Sequence, residues 1–168
     1  GELDSLLKAL ESKEGCFQTI IISYGDVLFN TYIPQALLQA QDDFVIFVDS
    51  DWQEKTSYTR LGGFAECTAP NSRKAFNAQI HLKQLGRTVP PDMIHGVWMG
   101  FFKVSARGIT QLHEILTGLL ADPIHRKAGM ATLFQELLRR NYPIRVLYTV
   151  GHWLDINSLD DVVQAGSF

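Results

Sequence analysis

The chain has 168 residues, 46% hydrophobic and 20% charged, with a formal net charge of −3 and a pI near 5.9. That length suffices for one domain with its own core, and the composition excludes disordered and collagen-like classes. An acidic balance with scattered Lys and Arg gives no polyanion-binding face, so no nucleic-acid partner is expected. No apolar run reaches the roughly 18 residues that cross a bilayer, so no membrane span is expected either.

Cys16 and Cys67 stand in neither a CxxC nor a CxxH spacing. They make neither a disulfide framework nor a zinc site, and read as two reduced thiols in a cytoplasmic protein. The start, Gly1-Glu2-Leu3-Asp4, lacks both an initiator Met and the basic-then-apolar stretch of a signal peptide. It opens directly into a helical pattern, as expected of a chain cut from something longer or of one carrying a processed tag.

Leu3, Leu6, Leu7 and Leu10 recur at helical spacing, predicting a helix over 3–13 that ends near Gly15. Residues 17–23 (FQTIIIS) form a short, nearly all-apolar run of the kind that makes a buried parallel strand. A helix is expected over 31–41, with Thr31 as its cap and Pro34 tolerated in its first turn. Residues 44–48 (FVIFV) give a second buried strand. Residues 53–75, broken by Gly62-Gly63 and Pro70, read as loops and short strands. A strand interrupted by Gly96 and Gly100 is expected over 94–104, helices over 108–120 and 128–140, a strand over 144–149 and a last helix over 158–165. This alternation implies α/β architecture: a three-layer α/β/α domain around a mixed, mostly parallel sheet.

Acidic residues follow three of these strands: Asp26, then Asp49 with Asp51, then Asp155. In open α/β sheets ligands bind beyond the carboxyl ends of the strands. If the strands are parallel neighbours, the carboxylates converge there and repel unless a cation lies between them. Oxygen ligands without cysteine favour Mg²⁺ (or Mn²⁺) bound together with substrate phosphates. The alternative is structural: Asp26 as a turn residue, and Ser158 as the cap of the last helix with Asp160 and Asp161 in its first turn.

Local motifs add a more specific pointer. The stretches SYGDVLF (23–29), VDSDW (48–52), IHGVWMGFFKVS (94–105) and GHWLDINSLDDVVQAG (151–166) occur in one order along the chain. In these it resembles the nucleotidyltransferase domains fused to phosphoenolpyruvate phosphomutases in phosphonate biosynthesis. It is more distantly similar to phosphocholine cytidylyltransferases and sugar-phosphate nucleotidyltransferases. The resemblance implies a metal-dependent nucleotidyl transfer from a nucleoside triphosphate, CTP foremost, to a phosphonate or phosphate acceptor, with pyrophosphate leaving. By matching motifs, Asp26 and Asp155 would be the catalytic metal ligands. Distant relatives carry an acid where this chain has Asn157, so Asp155, Asn157 or both would serve. Tyr24, Gly25 and Trp98 belong to the matched motifs and would contact substrate. Trp153 would wall the acceptor pocket or belong to the core, and His152 would donate to a phosphonate oxygen or stand as an exposed loop residue. A fused mutase domain or a second copy of the chain would be its partner.

The chain departs from that pattern twice. No strand followed by a Gly-rich loop of the AAGxGxR type, whose backbone N–H groups would cradle the triphosphate, stands in residues 1–168, and Gly62-Gly63 lacks the setting to replace it. Nucleotide binding by residues 1–168 alone is therefore not expected, and the sheet is expected to lack its first βα unit. Exposing even about 300 Å² of apolar surface there would cost about 7 kcal/mol, so a further segment or a partner chain would cover it. Secondly, Gly96-Val97-Trp98 carries Val where close relatives read Glu. Two rival readings are a glycosyltransferase using Asp49-Ser50-Asp51 to hold Mn²⁺ and a sugar diphosphate, and a degenerate module with no chemistry of its own.

Overall fold

A computed structural model describes residues 1–12, 18–54, 63–75 and 78–166. Gly15, Cys16, Phe17 and Gly62 lie outside the described residues. In chain order the elements are α1 (Glu2–Glu11), β1 (Thr19–Ser23), β2 (Val27–Phe29), α2 (Tyr32–Gln39), β3 (Phe44–Asp49), β4 (Phe64–Cys67), β5 (Leu82–Leu85), β6 (Gly96–Ser105), α3 (Ala106–Ala121), α4 (Met130–Arg139), β7 (Ile144–Thr149), β8 (Trp153–Asp155) and α5 (Leu159–Ala165), joined by short 3₁₀ turns.

β3 is buried at every position because both of its faces are covered. Phe44, Ile46 and Val48 point into a cluster with Leu112, Ile115 and Leu116 of α3 and Leu133, Phe134 and Leu137 of α4. Val45 and Phe47 point the other way, into a cluster with Ile33 and Leu37 of α2, Phe101 of β6 and Trp153 of β8. The run FVIFV is thus apolar throughout because each side chain meets a helix layer. The result is three layers, with α1, α3 and α4 on one face and α2 with the small β2–β8 ribbon on the other.

The main sheet has six strands in the order β5-β4-β6-β3-β7, with β1 also paired to β6. The sheet is mixed. Among the described strands only β3 and β7 are hydrogen-bonded in parallel; β6 runs antiparallel to β1, β3 and β4, and β5 antiparallel to β4. β1, β3, β4 and β7 therefore all run one way. The conjecture that β1 and β3 are parallel neighbours fails, because β6 lies between them. Their carboxyl ends still share one end of the sheet, which the common direction is sufficient to ensure. β1 meets the C-terminal half of β6, and β4 meets Gly96 and Val97 on the same edge. Among the described residues β1's other edge has no strand partner, and Ile20, Ile21 and Ile22 are only half-buried.

The predicted strand over 94–104 is one continuous strand, not an interrupted one. What Gly100 marks is a bulge: Ile46 faces Phe102 but Val48 faces Trp98, and Gly100 between them sits at φ 83°; Gly96 marks a close approach instead, a Cβ there falling 2.5 Å from the Asp49 carbonyl oxygen. Extra residues of this kind bend a strand and re-aim its side chains. Thr31 does not cap α2. It is itself helical and its side chain makes no capping bond; the Asn30 Oδ1 accepts from the Tyr32 N–H instead, at 3.4 Å. Ser158 does cap α5, its Oγ accepting from the Asp161 N–H at 3.3 Å. The Asp161 carboxylate returns the contact by accepting from the Asn157 N–H at 2.9 Å, a reciprocal arrangement that satisfies otherwise orphaned donors.

Candidate active site

At the carboxyl end of the sheet, a cavity of about 260 Å³ opens between the bulge of β6 and the β2–β8 ribbon. The ribbon makes the cavity. β2 and β8 pair antiparallel with Val27 opposite Asp155, and the Ile156 N–H donates to the Asp26 carbonyl at 2.8 Å. Asp26 and Asp155, 129 positions apart in sequence (155 − 26), are thereby brought to one rim. Asp26 stands with Gly25 in the turn that joins β1 to β2, and Val27–Phe29 beyond it is strand rather than a turn that Asp26 caps.

Burial holds the Asp155 carboxyl above the ordinary carboxylate range. The Asn157 amide opposes that shift and the negative charges of Asp26 and Asp161 add to it. Asn157 Nδ2 donates to Asp155 Oδ2 at 2.6 Å, orienting that carboxylate. Among the described residues, no group of three or more His, Cys, Asp or Glu side chains is placed to hold a metal. The donor set at this rim is a carboxylate pair with one amide oxygen, which suits Mg²⁺ or Mn²⁺ when substrate phosphates complete the shell.

The aromatic wall follows from the bulge. Tyr24, just beyond β1, lies across Gly100, where a Cβ would stand 2.8 Å from Tyr24 Cδ2. Its ring meets Trp98 edge-on at 5.6 Å between centroids. Trp98 is 8% exposed and donates from Nε1 to the Phe101 carbonyl at 2.8 Å. Trp153 is 2% exposed, so it belongs to the core and lines the cavity as well.

Asp49 is 1% exposed and does not line this cavity. Its Oδ1 accepts from the N–H groups of Asp51 at 3.0 Å and Gly151 at 3.1 Å, and its Oδ2 from Trp153 Nε1 at 2.8 Å. Asp49 is thus a clamp between the end of β3 and the loop leading into β8. This corrects the Asp49-Ser50-Asp51 reading: the first carboxylate of that pair faces backbone and indole donors, not an open site. The clamped loop carries two successive residues in the left-handed region, Gly151 at φ 64° and His152 at φ 63°. A non-glycine residue there is strained, and holding it needs such contacts.

Of the residues singled out from sequence, Tyr24, Asp26, Trp98, Trp153, Asp155 and Asn157 line the cavity. Gly25 and His152 do not. Gly25 lines an adjoining groove between α1 and β1, and His152 turns its Nδ1 to the Tyr32 hydroxyl at 3.2 Å. Val97 is fully buried in the core cluster beneath α2, so it contributes nothing to the rim. Glu2, Gly63, Met99 and Gly100 also line the cavity and were not anticipated. Of these only Gly100 carried a signal, since a glycine inside a strand marks a bulge or a close approach. The Glu2 carboxylate accepts from the Met130 N–H at the start of α4, at 3.1 Å, and lies 3.4 Å from the Tyr24 hydroxyl.

No family model matches the chain. It is 24% identical over 165 residues to the CTP:phosphoglutamine cytidylyltransferase of Campylobacter jejuni, covering 95% of this chain and 62% of that protein. Among solved structures, the inositol-1-phosphate CTP transferase from T. maritima superposes with a TM-score of 0.62 at 14% identity, covering 96% of this chain and 57% of its own. A CMP:2-keto-3-deoxy-manno-octonic acid synthetase complexed with CTP gives 0.63 at 11% identity, over 99% and 68%. The chain thus spans about three-fifths of the length of the curated relative it matches, and it has the fold of these nucleotidyltransferases.

Proposed function

We propose that the chain forms the acceptor and metal side of a nucleotidyltransferase that moves a cytidylyl group from CTP to a phosphonate or phosphate acceptor. A phosphonate or phosphate oxygen attacks the α-phosphorus of CTP, the bond from that phosphorus to the bridging oxygen breaks, and pyrophosphate leaves. Transfers of this kind need positioning and charge neutralisation more than covalent help from the protein. Asp26 and Asp155 would hold Mg²⁺ or Mn²⁺, which supplies that neutralisation when bound. The Asn157 amide fixes the Asp155 carboxylate, and Tyr24, Trp98 and Trp153 form a largely dry wall against which the acceptor is oriented. CTP as donor rests on the names of the curated relative and of the structural neighbours. A place in phosphonate metabolism, linked to a phosphoenolpyruvate phosphomutase, rests on the sequence motifs.

The observation that carries the reading is the meeting of Asp26 and Asp155 at one rim beside an aromatic wall. Among the described residues the cavity lining contains three carboxylates, with Glu2 the third, and no Lys or Arg. Two anionic substrates cannot approach such a lining without a divalent cation between. The test is pyrophosphate release by the full-length native protein from CTP with Mg²⁺ and a panel of phosphonates and phosphomonoesters, 2-aminoethylphosphonate among them. Release that needs the metal and disappears in Asp26→Asn and Asp155→Asn supports the proposal. No release with any acceptor and nucleotide, or release untouched by both substitutions, overturns it in favour of a non-catalytic module.

A further inference from the structure

We propose that Asp161, in the first turn of α5, is a positioning residue for the Asp26–Asp155 rim and acts on Asp155 through Asn157. The inference rests on the proposal that this rim holds a divalent cation. It adds to that proposal a residue that does not itself line the cavity.

The chain between β8 and α5 is held at both ends. The Ile156 N–H donates to the Asp26 carbonyl at 2.8 Å, and the Asn157 N–H donates to Asp161 Oδ2 at 2.9 Å. Between these anchors the Asn157 Nδ2 turns back to Asp155 Oδ2 at 2.6 Å. That bond closes on a residue two positions earlier, so it forms only while the backbone between them keeps its course. The β2–β8 ribbon fixes one side of this short stretch and Asp161 fixes the other. Asp161 is fixed in turn by Ser158, whose Oγ donates to Asp161 Oδ2 at 2.8 Å.

Capping alone does not account for this arrangement. Ser158 Oγ accepts from the Asp161 N–H, which serves the start of α5 directly. In an ordinary capping box the acid three residues into the helix accepts from the N–H of the cap residue itself, here Ser158. The Asp161 carboxylate instead reaches past Ser158 to the N–H of Asn157, the residue whose amide holds Asp155. A metal-binding carboxylate that is already oriented gives up less freedom when the ion arrives, so groups behind the ligands set affinity as well as geometry. Asp161 is such a group, one step further out than Asn157.

The test combines NMR and Mn²⁺ titration of the full-length native protein with its Asp161→Ala, Asp161→Asn and Asn157→Ala variants and the Asn157→Ala/Asp161→Ala pair. In the wild type the two side-chain amide protons of Asn157 should be well separated in shift, one of them bonded to Asp155. The separation should collapse in Asp161→Ala and survive in Asp161→Asn, whose amide oxygen can still accept from the Asn157 N–H. Mn²⁺ affinity should fall about fivefold or more in Asp161→Ala and stay within about twofold of wild type in Asp161→Asn. With Asn157→Ala already present, adding Asp161→Ala should change affinity no further, because the coupling between the two residues is then gone. A role confined to holding α5 would leave the two substitutions additive and the amide protons separated. Wild-type affinity in Asp161→Ala, equal losses in the Asn and Ala variants, or additivity in the pair would each overturn the proposal. A wild type that binds no Mn²⁺ would overturn the metal reading instead, and an Asn157 amide signal unchanged in Asp161→Ala would then overturn the positioning on its own.

Discussion

Replacing Asp49 by Ala removes the acceptor shared by three N–H donors, those of Asp51, Gly151 and the Trp153 indole. A buried donor left without a partner costs about 1–3 kcal/mol, and bonds to a charged acceptor lie at the upper end. Release of the left-handed turn at Gly151 and His152 returns about 1 kcal/mol. The net loss should be about 4 kcal/mol, which for a domain of this size lowers Tm by about 10 °C. Asp49→Asn is the discriminating companion. Its amide can keep the oxygen that receives the two backbone N–H groups, but must then turn an NH₂ toward Trp153 Nε1. It should therefore lose only the indole bond, about 1–3 kcal/mol. Urea unfolding followed by circular dichroism measures both. An Asp49→Ala variant within about 1 kcal/mol of wild type, or an Asn variant as damaged as the Ala variant, would refute the clamp.

Two other outcomes follow from the same geometry. Gly100→Ala places a methyl group 2.8 Å from the Tyr24 ring at a backbone φ of 83°, and should cost about 1–3 kcal/mol in thermal or chemical unfolding; an unchanged stability would mean that Tyr24 does not lie over the bulge. Asp155, raised above the ordinary carboxylate range first by burial, binds its proton more tightly folded than unfolded, so its contribution favours folding at low pH and declines as pH rises through the ordinary carboxylate range to the raised value. Asp155→Asn should therefore gain stability relative to wild type between about pH 4 and neutrality, with the gap closing on acidification or on addition of Mg²⁺; a Tm difference that does not change with pH, or that runs the opposite way, would contradict that origin.

Much of the fold was legible because burial leaves a periodic trace. The run at β3 is apolar throughout, and that at β6 nearly so with Lys103 the exception, since both faces are covered, and α1, α3 and α4 carry their apolar residues at helical spacing on the side that meets the sheet. What escaped was either short or polar. β2 and β8 are three-residue strands and leave no period to count, although their pairing is what unites Asp26 with Asp155. β5 reads Leu-Lys-Gln-Leu with an exposed middle, which resembles loop as much as strand. Side-chain roles were harder still. Asp49 and Asp26 are each an acid at a strand's carboxyl end, and only the tertiary register makes one an internal clamp and the other part of a rim. His152 was read as a substrate contact or a bystander, whereas its left-handed backbone turns the ring toward Tyr32.

The most direct test of the central claim is a Mn²⁺ titration followed by electron paramagnetic resonance, with and without CTP, on wild type, Asp26→Asn, Asp155→Asn and Asp51→Asn. The expected result is one bound ion whose affinity falls about tenfold or more in the first two variants and stays at the wild-type value in Asp51→Asn. Binding that survives both Asp26→Asn and Asp155→Asn, or that is lost in Asp51→Asn alone, would contradict it.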